Sequence, residues 1–253
     1  VLHIGRQDRP HLYDWRIRRP EPLVPRRLRF EVQERVLYTG EVLESLDPDS
    51  LEAVVDQVRK AGADAVAVCL LHSYANPEHE RAVDRALTEA LPDLTVSLSS
   101  DILPEFKEYD RMSTTAMNAY IGPVVARYLR RLQDAISADG ISSDLHVMQS
   151  SGGIIGAVTA AERPVQTILS GPAAGVIGGV AIAGQTGEAN LISIDMGGTS
   201  FDICLTYDSE IGRSREREIE GFPIKVASVD IHTLGAGGGS IAWIDAGGAL
   251  RVG

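Results

Sequence analysis

Two aspartates frame a glycine turn in the stretch Ile194-Asp195-Met196-Gly197-Gly198-Thr199-Ser200-Phe201-Asp202-Ile203. Apolar runs on both sides predict strand, turn, strand, with bare backbone N–H groups at the tip. Glycine lacks Cβ, so a phosphate can approach the main chain at Gly197 and Gly198, and Thr199 adds a hydroxyl donor. Asp195 and Asp202 are of the type that holds Mg²⁺ through water or orients an attacking group, which makes them the catalytic candidates. The pattern points to a nucleotide-phosphate site. The competing reading is an ordinary type I′ hairpin turn, which Gly-Gly and neighbouring aspartates also suit.

A second tract, Asp230-Ile231-His232-Thr233-Leu234-Gly235-Ala236-Gly237-Gly238-Gly239-Ser240, offers another surface free of side chains. It joins two apparent core strands, which a flexible linker would not do. Gly235, Gly237, Gly238, Gly239 and Ser240 are therefore cofactor-binding candidates. Asp230 and His232 lie two apart on an extended segment, so their side chains share a direction. Such a couple ligates a divalent metal, pairs as acid and base, or is simply hydrogen-bonded structure. Ser170 and Gly171 open a Gly/Ala-rich helix whose N-terminus offers N–H groups and a positive dipole end to an anion. Its interior glycines cost about 1 kcal/mol each relative to Ala. Close approach to a sheet or a ligand compensates, and plain helix–sheet packing is the expected reason for Gly178 and Gly179.

These residues need a scaffold, and the periodicity supplies one. Asp47-Pro48-Asp49-Ser50 starts a helix with apolar residues at Leu51, Val54, Val55 and Val58, and Gly62 ends it. Ala63 to Leu71 reads as a buried parallel strand, Pro77 to Leu91 as a second helix, and Leu94 to Leu98 as another strand. This rhythm implies a β-α-β-α-β parallel arrangement. A long helix is predicted over 105–138, with a break near Gly122-Pro123 and an apolar stripe of Val124, Val125, Tyr128, Leu129, Leu132 and Ile136. Leu145 to Gln149 reads as a strand running into Ser150-Ser151-Gly152-Gly153, either a ligand loop or a plain connection. Phe222 to Val229 is a further predicted strand, and a last hairpin is expected around Gly247-Gly248.

The 253 residues, 44% apolar and 23% charged, are those of a globular protein. A net charge of -11 argues against a nucleic-acid partner. Arginines 6, 9, 16, 18, 19, 26, 27, 29 and 35, among Pro10, Pro20, Pro22 and Pro25, mark an extended first segment expected to dock on other protein. Cys69 and Cys204, each inside an apolar run, read as buried small hydrophobes and exclude a disulfide framework. No run is long enough for a membrane span and no signal pattern opens the chain, so a cytoplasmic protein is expected.

Taken together, Ile4-Gly5-Arg6-Gln7, Gln149 to Gly153, Ser170-Gly171-Pro172-Ala173, Asp195 to Asp202 and His232 to Ser240 resemble the hydantoinase A/5-oxoprolinase family. Asp195 to Asp202 is similar to the phosphate motif of the wider superfamily of acetate and sugar kinases and actin (ASKHA). The resemblance implies an α/β fold with mixed sheets and flanking helices, of ribonuclease-H-like architecture and incomplete in this chain. It implies residues 1–140 as the end of an N-terminal region with β-α-β units, and 141–253 as the start of an ATPase-like domain. The implied activity is ATP-dependent opening of a cyclic amide, the ring amide being phosphorylated before water attacks. ATP, Mg²⁺ or another divalent metal, and a hydantoinase B-type subunit or domain come with it, and self-association is left open. Ketone carboxylase subunits of the same family, and a non-catalytic ATP-gated binding module, are the alternatives. Family members carry an earlier Asp-x-Gly-Gly-Thr-type motif, absent before Asp195, and continue beyond residue 253. An internal piece, inactive alone, is the expectation.

Overall fold

A computed structural model describes residues 1–6, 13, 16 and 21–252. Much of the arginine- and proline-rich first segment, including Gln7, Arg9, Pro10, Arg18, Arg19 and Pro20, lies outside the described residues. The chain forms two compact units: Val1–Leu145 with Ala157–Val165 and Glu216–Lys225, and His146–Gly156 with Gln166–Arg215 and Val226–Gly253.

In the first unit, α1 (Pro48–Ala61) begins where Asp47 accepts a hydrogen bond from the Ser50 N–H at 2.8 Å, and ends on left-handed Gly62. Strand β1 (Ala65–Val68), helix α2 (Glu78–Ala90) and strand β2 (Thr95–Leu98) follow. The strands pair in parallel, Ala65 opposite Thr95 and Val68 opposite Leu98. The predicted β-α-β-α-β rhythm is thus one parallel pair with its crossover helix. Val54, Val55 and Val58 pack with Val68, Val83, Leu87 and Leu98 into the core.

Helix α3 runs unbroken over Glu108–Ala138 with Pro123 inside it, so the predicted break is absent and the start is later. Packing overrides propensity here: the helix lies against β1 and β2, with Thr95 Cγ2 3.4 Å from where a Cβ on buried Gly122 would stand. Of the predicted stripe, Leu129 is buried, while Val124 and Tyr128 are 68% and 62% exposed. The helix's buried face is the preceding polar stretch, Asp110 to Ala119. Arg111 donates to the carbonyls of Leu70 (2.9 Å) and Glu105 (2.7 Å), and Glu80 accepts from the N–H groups of Leu70 and Ser100. Ser99 donates to Glu80 at 2.6 Å and links the two charges. The buried charges of Arg111 and Glu80 persist because both are partnered, and they tie down the loops after β1 and β2. Burial pushes the Cys69 thiol up to about 12, in keeping with an inert cysteine. Arg6 pairs with Asp110 at 2.7 Å and Glu216 at 2.5 Å, which raises its pKa.

The predicted strand at 222–229 is split. Phe222–Ile224 pairs with Arg217–Ile219 in the first unit, and Ser228–Val229 pairs with Arg213–Ser214 in the second. Between them the Lys225 N–H donates to Thr114 Oγ1 at 3.0 Å rather than to a ladder.

The second unit contains the hairpin β3 (His146–Met148) and β4 (Ile154–Gly156), helix α4 (Ser170–Thr186), and strands β5 (Leu191–Met196), β6 (Phe201–Tyr207) and β7 (His232–Leu234). β5 and β7 flank β6, all antiparallel. α4 packs on the sheet, where an added Cβ at Gly179 would sit 3.3 Å from Ser193 Oγ. Close packing therefore explains Gly179 but not Gly178, whose added Cβ would meet nothing within 4 Å. Ala173, Val176, Cys204, Val229 and Ile231 form this unit's core. The opposite sheet face leaves Ile192, Ile194, Met196 and Leu205 exposed. A second hairpin, β8 (Ala242–Ile244) and β9 (Leu250–Val252), ends the described chain. Among the described residues no helix is long and apolar enough to cross a membrane.

Candidate functional site

The β5–β6 ladder closes at Met196 opposite Phe201, leaving Gly197 to Ser200 as the tip. The Gly197 N–H donates to the Ser200 carbonyl at 2.9 Å. Neither Gly198 nor Thr199, the residues between that pair, has a positive φ, which rules out a type I′ turn, since that turn needs positive φ at both central residues. An added Cβ at Gly198 would meet nothing within 4 Å. Nothing in the described chain therefore requires glycine at 198. Asp195 and Asp202 face each other across the ladder, so their side chains share one sheet face.

The Gly-rich tract comes to the same place. β7 ends at Leu234 opposite Phe201, the first residue of β6, so the chain leaves the sheet beside the hairpin tip. The Gly238 N–H donates to the Gly197 carbonyl at 2.9 Å, and the Gly239 N–H to the Gly198 carbonyl at 3.2 Å. Ser240 closes the loop on itself, its hydroxyl accepting from the Gly237 N–H at 3.0 Å and its own N–H donating to the Gly237 carbonyl. Gly237 is buried against the tip, where an added Cβ would lie 2.6 Å from Gly198 C and O and from Thr199 N. The N–H groups of Gly198 and Thr199 donate to no acceptor among the described residues. Gly235 is exposed and its added Cβ would meet nothing within 4 Å.

Thr233, which sequence reasoning passed over, donates its hydroxyl to Asp202 Oδ1 at 2.5 Å. Its only signal is the cross-strand register Thr233–Asp202, which no local pattern encodes. Asp230 and His232 are both exposed on either side of buried Ile231, as the two-residue period requires. No group of three or more metal-ligating side chains occurs among the described residues. A resident all-protein metal cage does not fit this donor set. The Asp195–Asp202 pair fits the other mode, in which one or two carboxylates and substrate phosphates share Mg²⁺.

α4 begins at Ser170 with no side chain capping its first turn. The preceding Leu169 N–H donates to buried Ser150 Oγ, while the Ser150 N–H and carbonyl bond to Gln166 and Val229. The Ser150 loop thus serves as a structural tie. No hydrogen bond joins Ser170 or Gly171 to the hairpin tip among the described residues.

Fold and site define a mixed α/β protein in which a Gly-Gly hairpin between paired aspartates is held by a second glycine loop. The chain belongs to the hydantoinase/oxoprolinase family: that family's model matches residues 111–253, and the model of its N-terminal region matches residues 1–91. It is 36% identical to caprolactamase subunit alpha of Pseudomonas jessenii over 100% of this chain and 36% of that protein. To 5-oxoprolinase 1 of Arabidopsis thaliana it is 33% identical, over 100% of this chain and 21% of that one. The crystal structure of the ATP-dependent caprolactamase from Pseudomonas jessenii superposes with a TM-score of 0.85 at 37% identity, over 99% of this chain and 36% of that one. The nucleotide-free structure of an ATP-dependent acetone carboxylase superposes at 0.79 with 32% identity, over 93% and 34%. The chain spans between a fifth and two-fifths of the length of these relatives.

Proposed function

We propose that this chain carries part of the nucleotide site of an ATP-dependent cyclic-amide hydrolase of the hydantoinase/5-oxoprolinase type. One observation carries the reading. The free N–H groups of Gly198 and Thr199 sit at a position where the fold itself has no need of glycine, beside two cross-strand carboxylates. Bare amides with open space over them suit an approaching phosphate. On this reading Gly197, Gly198 and Thr199 cradle the triphosphate within an actin- and acetate-kinase-like architecture. Asp195 and Asp202 hold Mg²⁺, whose charge neutralises the phosphates, and Thr233 keeps the Asp202 carboxylate in place.

The chemistry follows from the weakness of an amide as an electrophile. The amide oxygen attacks the γ-phosphorus and ADP leaves. Water then adds to the activated carbon, the ring C–N bond breaks with the amine taking a proton, and a second water frees phosphate from the acyl phosphate. Positioning and charge neutralisation, rather than a covalent nucleophile, are what the protein supplies. The subunit alpha designation of the caprolactamase relative supports a B-type subunit as partner. The test is ATP turnover by the intact protein with caprolactam, 5-oxoproline or a hydantoin, against a ketone with bicarbonate. Stimulation by a cyclic amide, lost in Asp195→Ala, is expected; stimulation by ketone and bicarbonate alone moves the protein to the carboxylase branch.

A further inference from the structure

Building on the proposed nucleotide site, we infer that the loop Gly237–Ser240 is a buttress that aims the phosphate-binding amides and does not itself donate to phosphate. A trans peptide plane points its carbonyl and its N–H in opposite directions, and the described chain has no cis bonds. The plane joining Gly197 to Gly198 turns its carbonyl onto the Gly238 N–H, and the plane joining Gly198 to Thr199 turns its carbonyl onto the Gly239 N–H. The N–H groups of Gly198 and Thr199 must then both point away from the glycine loop. In an extended strand successive planes alternate; here two neighbours are held the same way, which makes a small anion-binding concavity. The ligand side of the hairpin is therefore the side opposite the loop, and Gly238 and Gly239 have already spent their donors.

Gly237 is the residue on which this arrangement closes. The atoms an added Cβ would strike at 2.6 Å are Gly198 C and O and Thr199 N, the atoms of the aimed plane itself. Backbone in that position cannot step aside without tilting the plane. The reciprocal bonds between Gly237 and Ser240 stiffen the loop that presses on it. Donors fixed in advance need no reorganisation when charge arrives, so the loop raises affinity without touching the ligand.

Amide hydrogen exchange resolved by NMR, in the protein without nucleotide and with a non-hydrolysable ATP analogue and Mg²⁺, separates buttress from ligand. Gly238 and Gly239 should be protected in both states. Gly198 and Thr199 should exchange freely in the first and slow at least tenfold in the second. Gly237→Ala should abolish the protection at Gly238 and Gly239 and weaken the analogue at least tenfold, measured by titration calorimetry, while the sheet amides of β5 and β6 keep theirs. Gly238 and Gly239 amides that become protected only when nucleotide is added would overturn the buttress and make the loop a direct ligand. If those two are protected in the free protein but no amide responds to the analogue, the nucleotide reading fails and the aim assigned to Gly198 and Thr199 fails with it.

Discussion

Two Gly-Gly hairpins of the second unit, β8–β9 and β5–β6, satisfy their backbones in opposite ways. Between β8 and β9, Asp245 folds back over its own turn: Oδ1 accepts from the Gly247 and Ala249 N–H groups at 2.9 Å each, and its carbonyl accepts from Gly248. Gly248 has φ +83°, a backbone conformation that calls for glycine by itself. That hairpin is closed, with its donors used internally and its aspartate acting as a cap. Between β5 and β6 neither aspartate accepts from the N–H groups of the tip, the carbonyls are bound by a second loop, and two N–H groups are left over. The same dipeptide thus serves a turn in one place and an opening in the other. What separates them is where the neighbouring carboxylate goes.

If that distinction holds, the two glycines should fail differently. Gly198→Val is expected to weaken ATP-analogue binding by at least tenfold, about 1.4 kcal/mol, because a side chain fills the space left for phosphate. The melting temperature should move by no more than about 2 °C, since a Cβ added there meets nothing within 4 Å. Gly248→Ala should do the reverse, costing about 1 kcal/mol of stability through left-handed strain while leaving analogue binding unchanged. Titration calorimetry and thermal melts on the two variants decide it, and a Gly198 variant that binds normally returns the β5–β6 tip to a plain turn. Thr233→Val probes the carboxylate side more gently. Losing the hydroxyl that holds Asp202 should reduce the Mg²⁺ dependence of analogue binding severalfold with little change in stability.

How far this contrast was visible in the residues alone depends on the range of the interactions. The α1 cap at Asp47, its stop at Gly62, and the ends of β5 and β6 were legible because they rest on local chemistry and short-period burial. Both glycine tracts were also legible as stretches free of side chains. Their docking was not, because hydrogen bonds from Gly238 to Gly197 join residues about forty apart through a register that no local pattern shows. Thr233 was missed for the same reason. The break expected at Pro123 and the strand expected over 222–229 failed where tertiary contacts, to Thr95 and Thr114, outweighed local preference. The buried polar face of α3 defeated a search for apolar stripes, since its Arg111 and Asn118 are satisfied by loops distant in sequence.

The smallest of these effects tests the closed hairpin on its own terms. The backbone N–H of Ala249 foremost, with Arg251 and the Gly247 N–H, holds the Asp245 carboxyl below the usual carboxylate range. A depressed folded-state pKa means the contribution is present at neutral pH and disappears as pH falls below the ordinary range and through the folded value. Protonation removes the acceptor that Gly247 and Ala249 share, so their amides should lose exchange protection on acidification before the sheet amides of β5 and β6 do. Arg251, paired with Asp245 at 2.8 Å, loses its partner in the same step. Asp245→Asn should show the loosened turn already at neutral pH. The pair is exposed and screened, so the expected change is confined to β8, β9 and their turn, and global stability should hardly move. Were Asp245 instead a carboxylate of the kind proposed for Asp195, acidification would leave the turn amides as they are and change nucleotide binding, and the two hairpins would no longer be different in kind.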